Sequence, residues 1–112
     1  MEDRFKISIL VDLYGVLLTD KQKDILILYY NDDLSLAEIA EIMNTSRQAV
    51  FDLIKRCHKM LLEYESKLNL LENENKKNNF KNNLLNMLDS LSKQNIDIHE
   101  IDKIKAYVIE NI

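Results

Sequence analysis

The stretch Ser35–Ile54, SLAEIAEIMNTSRQAVFDLI, constrains the fold of this chain more than any other segment. Ala40 is small and falls where two helices could cross closely. Apolar residues fall where such a pair would bury its inner faces: Ile39, Met43, Val50, Leu53 and Ile54. The tripeptide Ser46-Arg47-Gln48 would begin the second helix and present a polar first turn outward, as in helices that read DNA. The pattern predicts a helix-turn-helix, although trihelical units of this kind also serve as plain interaction modules.

The rest of the chain is also predicted to be helical. Its 112 residues include no proline and one glycine, and its apolar residues recur at helical spacing. A first helix is expected over residues 3–14. Its apolar face would hold Ile7, Leu10 and Tyr14, with Leu17 as a further candidate. The predicted fold class is all-α: a trihelical helix-turn-helix core with a long fourth helix and C-terminal helices, six helices in all.

Two pairs of polar residues mark where helices begin. Thr19 and Gln22 have the spacing of a capping box, in which each side chain bonds the other residue's backbone N–H. Ser35 and Glu38 repeat that spacing. We therefore expect one helix from Thr19 to about Tyr30 and a short helix after Ser35.

Two residues are candidates for left-handed backbone at helix ends. Gly15 could end the first helix in that conformation, and Asn44 could adopt it in the turn of the helix-turn-helix. The cap of the following helix has two solutions. Thr45 could cap it, with Gln48 completing a third box, or the Ser46 hydroxyl could cap it alone.

The fourth helix is predicted to be long. Apolar residues continue at three- and four-residue steps past the length of a normal recognition helix: Val50, Ile54 or Leu53, Cys57, Leu61, Tyr64, Leu68 and Leu71. The distal half of such a helix must bury its apolar face against another element. We predict a helix-turn-helix domain at residues 1–71. Residues 72–112 form a C-terminal helical segment that packs on this domain or on a second subunit.

The C-terminal segment begins with the polar stretch 72–83, which is either a linker or the exposed start of a helix. An amphipathic stripe follows: Phe80, Leu84, Met87, Leu88 and Leu91. Residues 98–109 are predicted to form a last helix. The side chains expected to face inward are Ile101, Ile104 and Val108, with Tyr107 as a further candidate.

Charge is unevenly distributed along the chain. The net charge of −4 counts against strong non-specific binding to nucleic acid. Residues 47–59, however, hold four basic residues and the single acid Asp52, a local charge of +3. The candidate nucleic-acid-binding residues are Ser46, Arg47, Gln48, Phe51, Lys55, Arg56 and Lys59. The alternative is a solvated helix face that happens to be basic.

Each candidate has a possible contact and an alternative. Arg47 could pair with guanine and Gln48 with adenine, or both could be solvated residues of a first turn. Phe51 could contact a base or a partner protein, or pack on the second helix. The lysines and Arg56 could bind phosphates, and Ser46 with the free amides of the helix start could hold one phosphate. Asp52 would repel phosphate and counts against DNA.

Enzymatic chemistry is not expected. Cys57 falls on an apolar stripe with no base beside it, and the two histidines have no partners at metal-ligand spacing. No catalytic residues, metal or cofactor are predicted. The chain shows no signal peptide and no apolar run long enough to span a membrane, which favours the cytoplasm.

Two resemblances refine these expectations. The segments LTDKQKDILILYY and LSLAEIAEIMNTSRQAVFDLIKR resemble the DNA-binding region 4 of bacterial sigma factors. More closely, LYYNDDLSLAEIA, SRQAVFDLIKR and LLEYESKL resemble the YlxM family of small helical proteins, in order and spacing. Asn44 and Thr45 depart from the glycine and the aliphatic residue that members usually carry there. The family is encoded beside components of the signal recognition particle, which implies a regulatory role in protein targeting.

Three hypotheses for function follow. The first is a regulatory protein of the signal recognition particle pathway that binds the particle's protein or RNA through the helix-turn-helix. The second is a dimeric transcription regulator that reads DNA through Arg47 and Gln48. The third is a structural helical adaptor that forms a homodimer through two apolar stripes, from Leu61 to Leu71 and from Phe80 to Leu91.

Overall fold

The computed structural model describes residues 3–94 and 97–112, and within them the fold is all-α, as predicted. Six helices follow one another: α1 (Arg4–Tyr14), α2 (Asp20–Tyr30), α3 (Leu36–Ile42), α4 (Arg47–Leu68), α5 (Leu70–Ser92) and α6 (Ile98–Asn111). A 3₁₀ turn, Gly15–Leu17, lies between α1 and α2. The chain divides into two compact units, residues 1–71 and residues 72–112.

The main core lies in the first unit, where α1, α2 and α3 pack around α4. Its buried side chains are Ile7, Leu10, Val11, Tyr14, Leu18, Ile25, Leu26, Tyr30, Ile39, Ala40, Val50, Ile54, Cys57 and Leu61. Met43 and Leu53 are partly buried against this core. The inner faces predicted for the helix-turn-helix therefore do meet, and burial of each large apolar side chain contributes about 1.5–3 kcal/mol.

Both predicted capping boxes are present. Thr19 Oγ1 accepts from the Gln22 amide at 3.2 Å, and Gln22 Oε1 accepts from the Thr19 amide at 2.9 Å. Ser35 and Glu38 form the same reciprocal pair at 3.1 and 3.0 Å. Each pair satisfies backbone N–H groups that the first turn of a helix leaves without partners, so the starts of α2 and α3 are fixed locally.

The helix α1 ends at Tyr14, as predicted, but the left-handed backbone expected at Gly15 was wrong. Gly15 has right-handed backbone, with φ −56° and ψ −30°, because the chain continues into the 3₁₀ turn instead of stopping. The Leu18 amide donates to the Gly15 carbonyl at 3.1 Å and closes this turn. The tighter turn leaves Leu17 49% exposed and buries Leu18 in its place, so Leu17 is not part of the apolar face of α1.

A buried hydroxyl connects α1 to the junction of α4 and α5. Tyr14 donates to Glu65 Oε1 at 2.6 Å and accepts from the Leu70 amide at 3.1 Å. The same carboxylate oxygen accepts from the Leu71 amide at 3.0 Å. Asn69 has left-handed backbone, with φ 55°, and separates the two helices. Burial and the Glu65 hydrogen bond raise the pKa of Tyr14, because both favour the neutral hydroxyl.

The stretch 72–83 is helical, since it lies within α5, so the linker alternative is excluded. Within the second unit the buried side chains are Leu88, Ile101 and Val108. Asp89 on α5 accepts a hydrogen bond from Lys105 on α6. Ile104 and Tyr107 were expected to face inward, but they are 46% and 67% exposed. On α6 they lie about 60° and 120° around the helix from the line of Ile101, toward solvent.

Candidate nucleic-acid interface

The turn between α3 and α4 fixes how α4 is presented. Asn44 has left-handed backbone, with φ 53°, as predicted. The Thr45 amide donates to the Ala40 carbonyl at 2.9 Å, and the Asn44 amide donates to the Glu41 carbonyl at 3.3 Å. This pair of bonds is a Schellman motif, which satisfies carbonyls at the end of α3. Asparagine thus makes the turn that glycine makes in other chains.

Ser46, and not Thr45, caps α4. The Ser46 hydroxyl accepts from the Ala49 amide at 3.0 Å. The third capping box does not form, because the Gln48 amide group donates to Asp52 Oδ1 at 3.0 Å instead. Gln48 therefore lies along the outer face of α4 and not back over its N-terminus.

All seven candidate residues are exposed on α4 or at its cap: Ser46, Arg47, Gln48, Phe51, Lys55, Arg56 and Lys59. The helix does not bring them all to one face. At about 100° per residue, Gln48, Lys55 and Lys59 lie within about 40° of one another. Arg56 lies about 140° around the helix from Phe51, so one flat ligand cannot contact both of these side chains.

The first turn of α4 opens onto α3. Arg47, Gln48 and Phe51 line an open depression of about 460 Å³ together with Leu36, the first residue of α3. Sequence reasoning had not included Leu36 in the site. The sequence feature that could have pointed to Leu36 is the capping box at Ser35, because it fixes Leu36 as the first residue of α3. The packing of α3 on α4 then brings Leu36 beside the start of α4.

The exposed side chains of α4 between residues 47 and 59 include more cations than acids. Arg47, Lys55, Arg56 and Lys59 form no ion pair with any residue in the ranges 3–94 and 97–112. Asp52 is the single acid among residues 47–59, and it is engaged by Gln48. The pairing of these cations with Asp52 or Glu63, which would explain them as a structural feature, is not found. The face can therefore offer its cations to an anionic ligand.

A second depression lies on the side of α4 that faces α2 and α3. This apolar groove has a volume of about 270 Å³ and is lined by Tyr29, Leu36, Phe51, Ile54, Lys55 and His58. Phe51 is 46% exposed, and it lines this groove together with Tyr29 of α2.

Cys57 lies inside the core and is fully buried. Burial raises the pKa of its thiol, because the thiolate would lose its hydration. Among the residues that the structure describes, no three His, Cys, Asp or Glu side chains are grouped to hold a metal ion. No helix in the same ranges has the length and apolar character needed to cross a membrane.

Comparison with known proteins identifies the family. A family described as "Putative helix-turn-helix protein, YlxM / p13 like" (UPF0122) matches residues 1–104. A UPF0122 protein of Clostridium kluyveri is 54% identical over 113 residues, which cover 100% of both chains. Another, from Clostridium botulinum strain Alaska E43, is 57% identical over 94 residues and 84% of each chain. A third, from Clostridium perfringens strain 13, is 51% identical over 112 residues, 100% of this chain and 95% of that one.

The family match spans the whole helix-turn-helix and reaches into α6, and these relatives are similar over most or all of their length. The resemblance to YlxM proteins is therefore confirmed, and the chain belongs to the UPF0122 family of YlxM/p13-like helix-turn-helix proteins.

Proposed function

We propose that this protein is a cytoplasmic regulatory protein, and not an enzyme, that binds duplex DNA through the outer face of α4. The observation that carries the proposal is a set of cations on α4 that form no ion pair with residues 3–94 or 97–112, on a chain whose net charge is −4. The set begins with Arg47 in an exposed first turn. An α-helix fits the major groove of B-DNA, whereas the major groove of duplex RNA is too deep and narrow. The likeness to sigma factor region 4 supports the same ligand.

The roles of the side chains follow from their positions. Arg47 and Gln48 are close enough to the helix start to contact base edges, and Lys55 and Lys59 would contact phosphates about two and three turns further along. Ser46 and the free amides of the first turn would add one phosphate contact. Arg56 lies toward the opposite edge of α4, so we assign it a contact with the flanking backbone only.

Salt dependence of binding tests this proposal. Three phosphate contacts from Lys55, Arg56 and Lys59 give a slope of about −2.7 in log affinity against log salt, or roughly a 40-fold loss between 50 and 200 mM. Fluorescence anisotropy with a labelled random-sequence 24-base-pair duplex measures this slope. Lys59→Ala should reduce it by about 0.9. Lys21→Ala, at an exposed lysine of α2, is the matched control and should not change it. If no duplex binding is detected at 50 mM salt, the proposal fails.

We propose that the binding form is a homodimer, because one short recognition helix rarely gives adequate affinity alone. The second unit offers a surface for this. Phe80, Met87 and Leu91 are 60%, 65% and 42% exposed, and on α5 they lie within about 40° of one another. Sedimentation equilibrium should give a dimer, and Phe80→Glu should give a monomer. Phe5→Glu, at a phenylalanine that is 77% exposed on α1, is the control. A monomeric wild-type chain at tens of micromolar would contradict the dimer.

A second candidate is a regulatory role in the signal recognition particle pathway, which the resemblance to YlxM proteins implies, since that family is encoded beside components of the particle. The net negative charge also favours it, since a chain of −4 suits a partner other than bulk DNA. In this case the helix-turn-helix would bind the particle's protein or RNA. Binding of purified particle, measured with Lys55→Ala and Lys59→Ala and with competing duplex DNA, tests the surface. If removal of residues 72–112 alone abolishes binding, the α4 face is not the docking site.

A further inference from the structure

The apolar groove beside α4 has features that DNA binding does not require. Its lining comes from three helices, with Tyr29 on α2, Leu36 on α3, and Phe51 and Ile54 on α4. Phosphates and base edges are recognised by polar groups, so duplex DNA has no use for a concave apolar floor. Shallow concave apolar surfaces are instead typical sites for one face of an amphipathic helix.

The dimensions of the groove suit a short helix. Phe51, His58 and Leu62 are spaced by seven and four residues, so they follow one side of α4. Leu62 is 39% exposed and extends the apolar stripe beyond the groove itself. From Phe51 to Leu62 the stripe is about 17 Å long, which matches roughly three turns of a docked helix.

Charge around the groove indicates which helix would fit. Among the described residues that line the groove, Lys55 carries a positive charge and none is an Asp or Glu. Lys55, on the groove lining, forms no ion pair within the described residues. Arg47, at the adjoining depression, forms none there either. The groove thus combines an apolar floor with cations left for a ligand.

We propose that this groove binds an acidic amphipathic helix of a partner protein. The apolar side of that helix would pack on Tyr29, Leu36 and Phe51, and its acidic side chains would pair with Lys55 and Arg47. Such pairs add electrostatic steering and exclude basic competitors. Phe51 and Lys55 also belong to the proposed DNA-binding face, so the bound helix and the duplex exclude each other. The groove itself does not depend on whether DNA binds.

Selection from a phage-displayed library of 16-residue helical peptides tests the proposal on the full-length chain. Peptides selected on wild type should carry Leu or Phe at i, i+4, i+7 and i+11 and a net negative charge. Synthetic copies should bind wild type by fluorescence anisotropy, and the dissociation constant should rise at least about tenfold in Phe51→Ala and in Lys55→Glu. Phe5→Ala and Lys21→Glu are the matched controls, since both sites are exposed and outside the groove.

The variant Lys59→Glu separates this proposal from the DNA proposal. Lys59 is not among the lining residues of the groove, so the variant should weaken duplex binding while peptide affinity changes less than about twofold. The inference is overturned if the library yields no binder, if selected peptides are basic, or if they bind Phe51→Ala as well as wild type. It is also overturned if the wild-type chain is a dimer and Phe51→Ala is a monomer, because the groove then holds a second copy. Circular dichroism must show unchanged helicity for each variant.

Discussion

Asp52 provides the sharpest test of the proposed DNA-binding face. Its carboxylate lies on the outer side of α4, where it accepts a hydrogen bond from Gln48 at 3.0 Å. It therefore offsets one cation and also holds the amide that would contact a base. If α4 binds DNA, removing this charge must strengthen binding, which is the opposite of what a surface mutation usually does.

The expected size follows from the counterion argument. One additional effective charge contributes about 0.9 to the slope of log affinity against log salt, which is roughly an eightfold gain at 0.1 M salt. Asp52→Asn removes the charge but can keep the contact with Gln48. Asp52→Ala removes both, so it also releases Gln48 to contact a base. The two variants should share the steeper salt slope, and only Asp52→Ala should alter the preference among duplex sequences.

Anisotropy titrations at 50, 100 and 200 mM salt measure both effects. Asp12→Asn makes the same chemical change at an exposed carboxylate of α1, so it controls for net charge alone and should shift affinity by less than about twofold. If Asp52→Asn binds DNA no more tightly than Asp12→Asn does, the outer face of α4 is not in contact with phosphate, and the reasoning is refuted.

Two further predictions concern the core. Tyr14→Phe should lower the free energy of unfolding by about 1.5 kcal/mol, or the unfolding midpoint by roughly 6 °C, because it removes the bond to Glu65 and leaves the Leu70 amide without its acceptor. Tyr107→Phe, at an exposed residue, should have no effect in the same thermal melts. Because the pKa of Tyr14 is raised in the folded chain, the unfolded chain ionises first as pH rises past 10.0. The wild type therefore loses stability above that pH, and the difference in unfolding free energy between wild type and Tyr14→Phe should become smaller. A difference that grows above that pH would contradict the buried position of the Tyr14 hydroxyl. The buried Cys57 thiol should react with Ellman's reagent only as fast as local or global unfolding exposes it. Rapid stoichiometric reaction of the native protein would contradict the position of Cys57 in the core.

The features that could be predicted from the sequence are those whose causes are local. The boxes at Thr19 and Ser35 involve residues three apart, and the left-handed turn at Asn44 needs only a residue that tolerates positive φ. The period of apolar residues along α4 likewise specifies which side is buried. These signals were enough to predict the helix order, the helix-turn-helix and the exposed residues of its second helix.

The features that could not be predicted depend on contacts between distant residues. Tyr14 meets Glu65 and Leu70, 51 and 56 residues away, and nothing near Tyr14 in the chain indicates this. The backbone conformation of Gly15 was predicted wrongly, because glycine permits the left-handed conformation at a helix end but does not require it. The groove was missed because Tyr29 and Leu36 belong to different helices and look like ordinary core residues in sequence. A concave surface is a property of packing and has no signature in one helix.

The duplex and the acidic helix are both proposed to contact Phe51 and Lys55, so binding of one ligand would regulate binding of the other. Three or four phosphate contacts give a single helix-turn-helix only modest, salt-sensitive affinity for DNA. A partner helix that covers Phe51 and Lys55 needs only to match this modest affinity in order to displace the duplex, and no conformational change is required. A dimer would raise DNA affinity by presenting two such faces, so each face would have to be covered to release the DNA. On these two proposals, the acidic remainder of the chain would keep non-specific DNA binding weak, so a partner at moderate concentration would decide whether the α4 face is occupied.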